Sequence, residues 1–233
     1  MIDFHSHVLP AIDDGSKSVE ESLQLLKMLA EQGVKTVAAT PHFYPNRVSV
    51  ERFLEKRQAA YQKLLDVGTK DLPNVILGAE VYFYEGISRM PQLSSLCLQG
   101  TKLLLLEMPF AKWSDYAVRE LLHLANAGDF TIVLAHVERY LFKQDPAIWE
   151  KLIQSGVIMQ ANATFFTAFS TRRKALKLLK NRFIRLIGSD CHSVENRPPR
   201  IGEALARIEK KLGIEYVERL IERGNKVLTV YAK

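Results

Sequence analysis

Apolar and polar positions alternate along this chain in two registers. Short apolar runs of strand length occur at 2–4, 36–39, 75–81, 102–106, 131–135, 157–160 and 185–188. Longer runs with apolar residues at helical spacing lie between them, at 19–31 (Leu23, Leu26 and Leu29 or Ala30 on one face), 50–67, 116–127, 146–155, 171–181 and 201–212. Gly33, Gly128 and Gly156 stand where helix C-caps are expected. Strand–helix alternation of this kind predicts an α/β fold with parallel strands and right-handed crossovers. Seven units predict a closed or nearly closed barrel, with an open doubly wound sheet as the alternative. No G-x-G-x-x-G turn follows any strand, which argues against the dinucleotide-binding version of that sheet. No repeat, low-complexity segment or Pro/Gly/Ser linker interrupts the pattern, so one domain is expected across residues 1–233.

The residues at the ends of the apolar runs carry the chemistry. His5 and His7 follow the first run, and Thr40-Pro41-His42 the second. Glu80 lies near the end of the third, Glu107 follows the fourth and His136 the fifth. Asp190 and His192 follow the seventh. Of six histidines, only His123 lies inside a helical pattern, and it reads as an ordinary helix residue. Parallel barrel strands bring their C-terminal ends to one face, so the other five are expected to converge there. Burying so many carboxylates and imidazoles unpaired is costly; divalent cations remove the cost. His5-Ser6-His7 and Asp190-Cys191-His192 would each place two donors on one side of an extended segment. Imidazole and carboxylate without thiolate suit Mn, Fe or Zn, and not a cysteine-rich structural zinc site. The number of donors exceeds what one ion needs, and multi-metal sites commonly clamp a phosphoryl group.

Composition narrows the classes. With 47% hydrophobic and 25% charged residues the chain is ordinary globular protein. No run approaches the ~18 apolar residues of a membrane span, and Met1-Ile2-Asp3-Phe4-His5 does not open a signal peptide. No membrane insertion is expected, and the cytoplasm is the expected compartment. The two cysteines, Cys97 and Cys191, make no disulfide framework. The net charge of +6 suits an anionic substrate. Basic residues are dispersed except at Arg172-Arg173-Lys174, and no nucleic-acid-binding motif appears, so nucleic acid is not the expected partner. Cys191 to Arg197 spells a C-x5-R string, which elsewhere marks a thiolate phosphate loop. This one lacks glycine and runs into Pro198-Pro199, so it is read as coincidence.

Taken as a set, Asp3-Phe4-His5-Ser6-His7, Thr40-Pro41-His42, Gly78-Ala79-Glu80, His136-x-Glu138-Arg139-Tyr140 and Ser189-Asp190-Cys191-His192 resemble the polymerase-and-histidinol-phosphatase (PHP) superfamily. Within it they are most similar to the bacterial tyrosine-protein phosphatases of capsular and exopolysaccharide operons. The resemblance runs essentially end to end. It implies a distorted (β/α)7 TIM-like barrel with two to three divalent metals, Mn2+ above all, with Fe or Zn possible. Carried over by position, His5, His7, Glu80 and Asp190 would hold one metal. Glu80 would bridge to a second, shared with Glu107 and His136. Asp14, His42 and His192 would hold a third, with Asp13 the alternative to Asp14. Read alone, Asp13-Asp14-Gly15 is a polar turn before a helix.

Arg139 and Arg197 lie beyond strand ends, where guanidinium groups would grip phosphate oxygens. The implied reaction is hydrolysis of phosphotyrosine by a metal-bound hydroxide. The implied substrate is a phosphotyrosine protein, a bacterial tyrosine kinase of polysaccharide biosynthesis. The alternative is a PHP-type phosphoesterase acting on a small-molecule phosphate such as histidinol phosphate or a sugar phosphate. A protein substrate needs an accessible mouth, for which Phe43, Tyr44, Tyr84, Phe110, Trp113, Phe165 and Phe166 are candidate rim aromatics.

Overall fold

A computed structural model describes residues 1–232. Among them lie nine strands: β1 (Ile2–Ser6), β2 (Thr36–Ala39), β3 (His42–Phe43), β4 (Asn74–Leu77), β5 (Glu80–Tyr82), β6 (Leu103–Glu107), β7 (Thr131–Leu134), β8 (Ile158–Asn162) and β9 (Ile184–Gly188). The helices are α1 (Val19–Glu31), α2 (Val50–Val67), α3 (Asp115–Asn126), α4 (Pro146–Gln154), α5 (Ala163–Thr167), α6 (Arg172–Lys180), α7 (Ile201–Leu212) and α8 (Ile214–Val230). Every strand-to-strand ladder is parallel. The fold is α/β, as the alternation predicts.

The pairing differs from one ring of seven strands. Two sheets form, β1-β2-β4 and β3-β5-β6-β7-β8-β9. The expected strand at 75–81 is two strands, β4 and β5, in different sheets. The step between them falls at Gly78, where a Cβ would collide with the Leu98 side chain. The neighbouring chain makes the same step at Thr40-Pro41, where proline has no N–H to give to a ladder. Hydrogen bonds nevertheless cross the step, from Gly78 N to Ala39 O at 2.8 Å and from Glu80 N to Pro41 O at 3.0 Å. At the other edge, Asp190 N donates to His5 O at 2.8 Å and His7 N to Cys191 O at 2.9 Å. The two sheets thus touch at both margins.

The helices follow from local chemistry. Ser18 caps α1 by accepting from Glu21 N, acidic Glu20 and Glu21 fill its first turn, and Leu25, Leu26 and Leu29 bury one stripe. Asp145 caps α4, with Pro146 opening it. The periodic pattern did not yield α8, although Val217, Leu220, Gly224 and Val227 are buried at helical spacing. No strand follows it, so the alternation that exposed the other helices gives no cue. Short α5 and the two-residue β3 fall below the length at which periodicity speaks.

Alternate strand residues from both sheets, namely Ile2 and Phe4, Ala38, Leu103 and Leu105, Val133 and Ala135, Ile158 and Leu186, meet in one apolar cluster with Val227 of α8. The other strand faces pack under the helices in a larger cluster. Following the shared-core face towards the C-terminal ends, the side chains turn polar: Leu103 and Leu105 lead to Glu107, Ile158 leads to Gln160 and Asn162, and Leu186 leads through Gly188 to Asp190. The core ends where the polar cluster begins.

Candidate metal centre

All nine residues expected to ligate metal lie in this one cluster. Glu80 stands at its middle. Its Oε2 is 3.2 Å from His5 Nε2, 3.3 Å from His7 Nε2 and 2.9 Å from His42 Nδ1, and its Oε1 is 2.8 Å from His136 Nε2. Asp190 Oδ1 lies 3.6 Å from His5 Nε2 and 3.5 Å from His7 Nε2. Glu107 Oε1 lies 3.3 Å from His136 Nε2. Asp14 Oδ1 lies 3.4 Å from His42 Nε2 and 3.5 Å from His192 Nε2. Three sets of donor atoms are each mutually within 4.8 Å: His5, His7 and Asp190; His42, Glu80 and Glu107; His7, Asp14, His42 and His192. His7 and His42 therefore reach across the groupings that the resemblance implied.

Backbone geometry aims these groups. His136 (φ 33°) and Asp190 (φ 52°) both adopt left-handed conformations rare for residues with a Cβ. The Asp190–His192 segment is therefore not the extended strip that its spacing suggested. Gly15 lies so close to His7 that a Cβ would overlap its carbonyl oxygen. That contact folds the Asp13-Asp14 turn onto the site.

Most of the imidazoles are fixed from behind. His5 Nδ1 faces Gln160 Oε1 at 3.3 Å, His7 Nδ1 faces Asp13 Oδ2 at 2.7 Å, and His192 Nδ1 faces Asp190 O at 3.0 Å. Tyr140 Oη lies 3.2 Å from His136 Nδ1. The amide of Gln160 is itself oriented, because His136 N donates to its Oε1 at 2.8 Å. An acceptor behind Nδ1 puts the proton there and leaves the lone pair on Nε2. His5 Nε2 and His7 Nε2 then face each other at 3.2 Å, with Glu80 Oε2 3.2 and 3.3 Å from them. His42 Nδ1 and Glu80 Oε2 approach at 2.9 Å yet make no hydrogen bond, and His192 Nε2 is likewise buried without one among the described residues. Once deprotonated, ring nitrogens and carboxylate oxygens converging in this way are what a cation requires. The set of imidazoles and carboxylates, with no thiolate, fits divalent metal.

In the metal-free site protons take the cation's place. Burial pulls the His7 imidazolium down, but the bond to Asp13 and the adjacent Glu80 carboxylate outweigh it and hold its pKa up at about 10. His136 is held at about 9, where Glu107 and Glu80 overcome burial. Burial would raise Glu80, but His5, His136 and His42 keep it far below the usual carboxylate range. Without a cation, protons on the histidines balance the buried carboxylates. His192 goes the other way, to about 4, because burial and the neighbouring His7 both oppose its charge.

Asp190 joins the histidines to the arginines. Its Oδ2 accepts from Arg139 Nη2 at 3.1 Å, Arg197 Nη2 at 2.8 Å and Asn162 Nδ2 at 2.7 Å. Both guanidinium groups are partly exposed and line a cavity of about 180 Å³ over Glu80, Glu107, His136 and His192. Tyr44 and Phe110 line it too, but the other suggested rim aromatics do not. Phe43, Trp113, Phe165 and Phe166 are buried core, and Tyr84 lies on a separate groove.

Asp13 and Asp14 part company. Asp13 turns inward, accepting from His42 N at 2.9 Å and Gly15 N at 2.9 Å besides facing His7. Asp14 faces the other two histidines. Sequence reasoning overlooked Gln160 and Asn162, although the sixth apolar run ends in this period-two polar pair. It also gave no role to Tyr140, or to Asp3, which accepts from His5 N, Ser189 N and Ser189 Oγ and so ties β1 to the start of the Asp190 segment.

The C-x5-R string is not a phosphate loop. His192 N and Ser193 N donate to Arg197 O, Asn196 N and Arg197 N to Ser193 Oγ, and Val194 N to Glu21 Oε1. Those donors are spent within the protein. The Cys191 thiol is fully buried, and burial together with the Asp3 charge pushes its pKa well up.

A parallel α/β fold with histidines and carboxylates gathered at its strand ends defines the class, that of the PHP-type phosphatases. The chain belongs to the CpsB/CapC family of capsular polysaccharide synthesis, whose profile matches residues 1–229. It is 31% identical to the tyrosine-protein phosphatase YwqE of Bacillus subtilis (strain 168), over 98% of this chain and 91% of that one. One of the crystal structures of YwqE from Bacillus subtilis and CpsB from Streptococcus pneumoniae, described as unique metal-dependent tyrosine phosphatases, superposes with a TM-score of 0.83 at 27% identity, covering 98% of this chain and 94% of that one. Histidinol phosphate phosphatase of Lactococcus lactis, solved with Zn, L-histidinol and phosphate, shares the fold with a TM-score of 0.55 at 14% identity, covering 90% and 92% of the two chains.

Proposed function

We propose that this protein is a metal-dependent tyrosine phosphatase. The observation that carries the reading is the set of ring nitrogens of His5, His7, His42 and His192 turned towards Glu80, Asp14 and Asp190, beside two guanidinium groups. In this reading His5, His7, Glu80 and Asp190 hold one divalent ion. Glu80, Glu107 and His136 hold a second, and Asp14, His42 and His192 a third, with Asp13 orienting His7 from behind. Manganese is the metal we favour. Bound divalent ions supply Lewis acidity, acidifying water and drawing charge from phosphoryl oxygens.

The protein's own groups do the rest. Arg139 and Arg197 grip the equatorial phosphoryl oxygens, and Asp190 Oδ2 fixes the angle between them. Tyr44 and Phe110 wall the cavity where an aryl ring would enter. A phenolate leaving group, with a solution pKa of about 10, needs little protonation, so no dedicated general acid is assigned. We read the two sheets, joined at Gly78 and at Asp190, as arcs of one distorted (β/α)7 barrel forming a single domain over residues 1–233. The physiological substrate is a tyrosine kinase of polysaccharide assembly in the cytoplasm. None of the described helices is long and apolar enough to cross a membrane.

The test is hydrolysis of a phosphotyrosine peptide, histidinol phosphate and a sugar phosphate after chelation and dialysis, then after Mn2+ is restored. Activity on the peptide that disappears with chelation and returns with Mn2+ is expected. Preference for either small phosphate would move the substrate assignment. Indifference to chelation would overturn the metal site.

A further inference from the structure

Phosphate recognition accounts for the cavity over Glu80 but leaves the groove beside it unused. That groove, about 450 Å³, opens from the same wall: Asp14, His42 and Tyr44 line both spaces. Its floor is apolar, with Phe53 buried and Ile12 and Val48 half-buried. Arg47 and Lys56 line the groove but not the cavity. The Arg47 guanidinium lies 4.7 Å from the centre of the Tyr44 ring. Both cations are exposed, and among the described residues neither makes an ion pair.

The groove is lined by charges of both signs. Its acids are committed to histidines, Asp13 to His7 and Asp14 to His42 and His192. Its two cations have no such partners. An apolar floor with unpaired cations beside it suits an extended segment whose backbone crosses the floor and whose anionic group meets the cations. A small phosphate would fill the cavity and leave this surface empty.

We propose that the groove is a second subsite for the peptide bearing the phosphotyrosine, and that Arg47 and Lys56 select segments with a second anionic group, carboxylate or phosphate, close to the scissile one. The subsite rests on the phosphotyrosine reading, and its test separates the two. Rates for the Mn2+-loaded protein are compared on phosphotyrosine peptides of one length with neutral flanks, with Asp/Glu flanks, or with a second phosphotyrosine. Binding of the same peptides carrying a non-hydrolysable phosphonate is followed by fluorescence anisotropy.

Anionic flanks are expected to raise kcat/KM roughly tenfold, mainly through KM, with the advantage shrinking as salt rises. Lys56→Glu should remove most of that advantage, and the Arg47→Ala/Lys56→Ala pair should abolish it. The two anionic peptides tell which anion is preferred. Equal rates and affinities for neutral and anionic peptides in the wild type would overturn the subsite. So would an advantage that survives Lys56→Glu and the double variant. Anionic preference in binding with no turnover of any peptide would keep the subsite and overturn the phosphatase reading.

Discussion

The inner wall of the site and its mouth treat charge in opposite ways. On the inner wall, His5, His7, His136 and Glu80 are at most 1% exposed, and each imidazole is braced behind by Gln160, Asp13 or Tyr140. At the mouth, the side chains of Asp14, Arg139 and Arg197 are 65%, 38% and 43% exposed, and the arginines are anchored by one shared oxygen of Asp190. Adjacent Asp13 and Asp14 divide between the two regions. The inner wall is built before anything binds, because misplaced lone pairs there would be costly to leave unpaired. The mouth can follow a substrate, because water solvates its charges until one arrives.

The sharpest way to break this comparison is at Glu80, which touches four histidines. Glu80→Gln keeps the shape but removes the charge that balances them. Losing the several kcal/mol that a bound cation supplies corresponds to roughly a thousandfold or more in kcat. Metal content measured by elemental analysis should fall with it. Full activity with normal metal content would show that the inner wall is not the metal site. At the mouth the expected loss is smaller. Arg139→Ala or Arg197→Ala should each cost on the order of 100-fold in kcat/KM, leaving metal content unchanged. Because both bond Asp190 Oδ2, their double variant should lose less than the product of the two. Strict multiplicativity would show that they act separately.

Asp13 tests whether bracing matters. Asp13→Asn leaves one acceptor oxygen where two now serve Gly15 N on one side and His42 N with His7 Nδ1 on the other, so the hold on His7 weakens, and an outer-shell change of this kind costs ~10–100-fold in metal affinity or activity. Asp14→Asn, at the mouth, should leave the affinity of the inner wall intact. A titration with Mn2+ reads both.

Much of this contrast was legible in the residues. Histidines and carboxylates following apolar runs marked the inner wall, because charge directly after a buried strand needs a partner. The bracing groups were not legible, since Gln160, Asn162 and Tyr140 act through contacts between segments that pattern alone does not pair. The turns at His136 and Asp190 escaped for another reason: a left-handed backbone at a residue with a Cβ leaves no compositional trace. The step between sheets was hidden inside one apolar run, where Gly78 was the only mark. Helix α8 carried the right period but lay past the last strand.

Proton and metal compete for the inner wall, so pH provides a subtler probe. His7 and His136 have folded pKa values raised to about 10 and about 9, against about 6.5 unfolded. A raised value contributes stability that is fully present below about 6.5 and is lost as pH climbs through the folded value. The metal-free protein should therefore lose stability between about pH 6.5 and 10. With Mn2+ present the trend should reverse in sign, because deprotonated imidazoles bind the ion better. Thermal melts with chelator and with Mn2+, across that range, check this. Parallel curves would mean that protons and metal do not share the site.

The smallest effect is expected at Cys191, which lies between two site residues yet belongs to neither region. Its thiol is fully buried, and its pKa is raised by burial and by Asp3, so thiolate is scarce at neutral pH. Most backbone N–H groups of the string that follows are committed to Arg197 O, Ser193 Oγ and Glu21 Oε1, so they cannot also cradle phosphate. Cys191→Ala should leave kcat and KM for a phosphotyrosine peptide within about twofold, while removal of a buried side-chain atom costs ~1 kcal/mol in stability. Chelation should still abolish the variant's activity. If instead the variant were inactive while remaining folded and fully metallated, the thiol would be the nucleophile. The cluster around Glu80 would then be supporting structure, and the division between inner wall and mouth would no longer describe the chemistry.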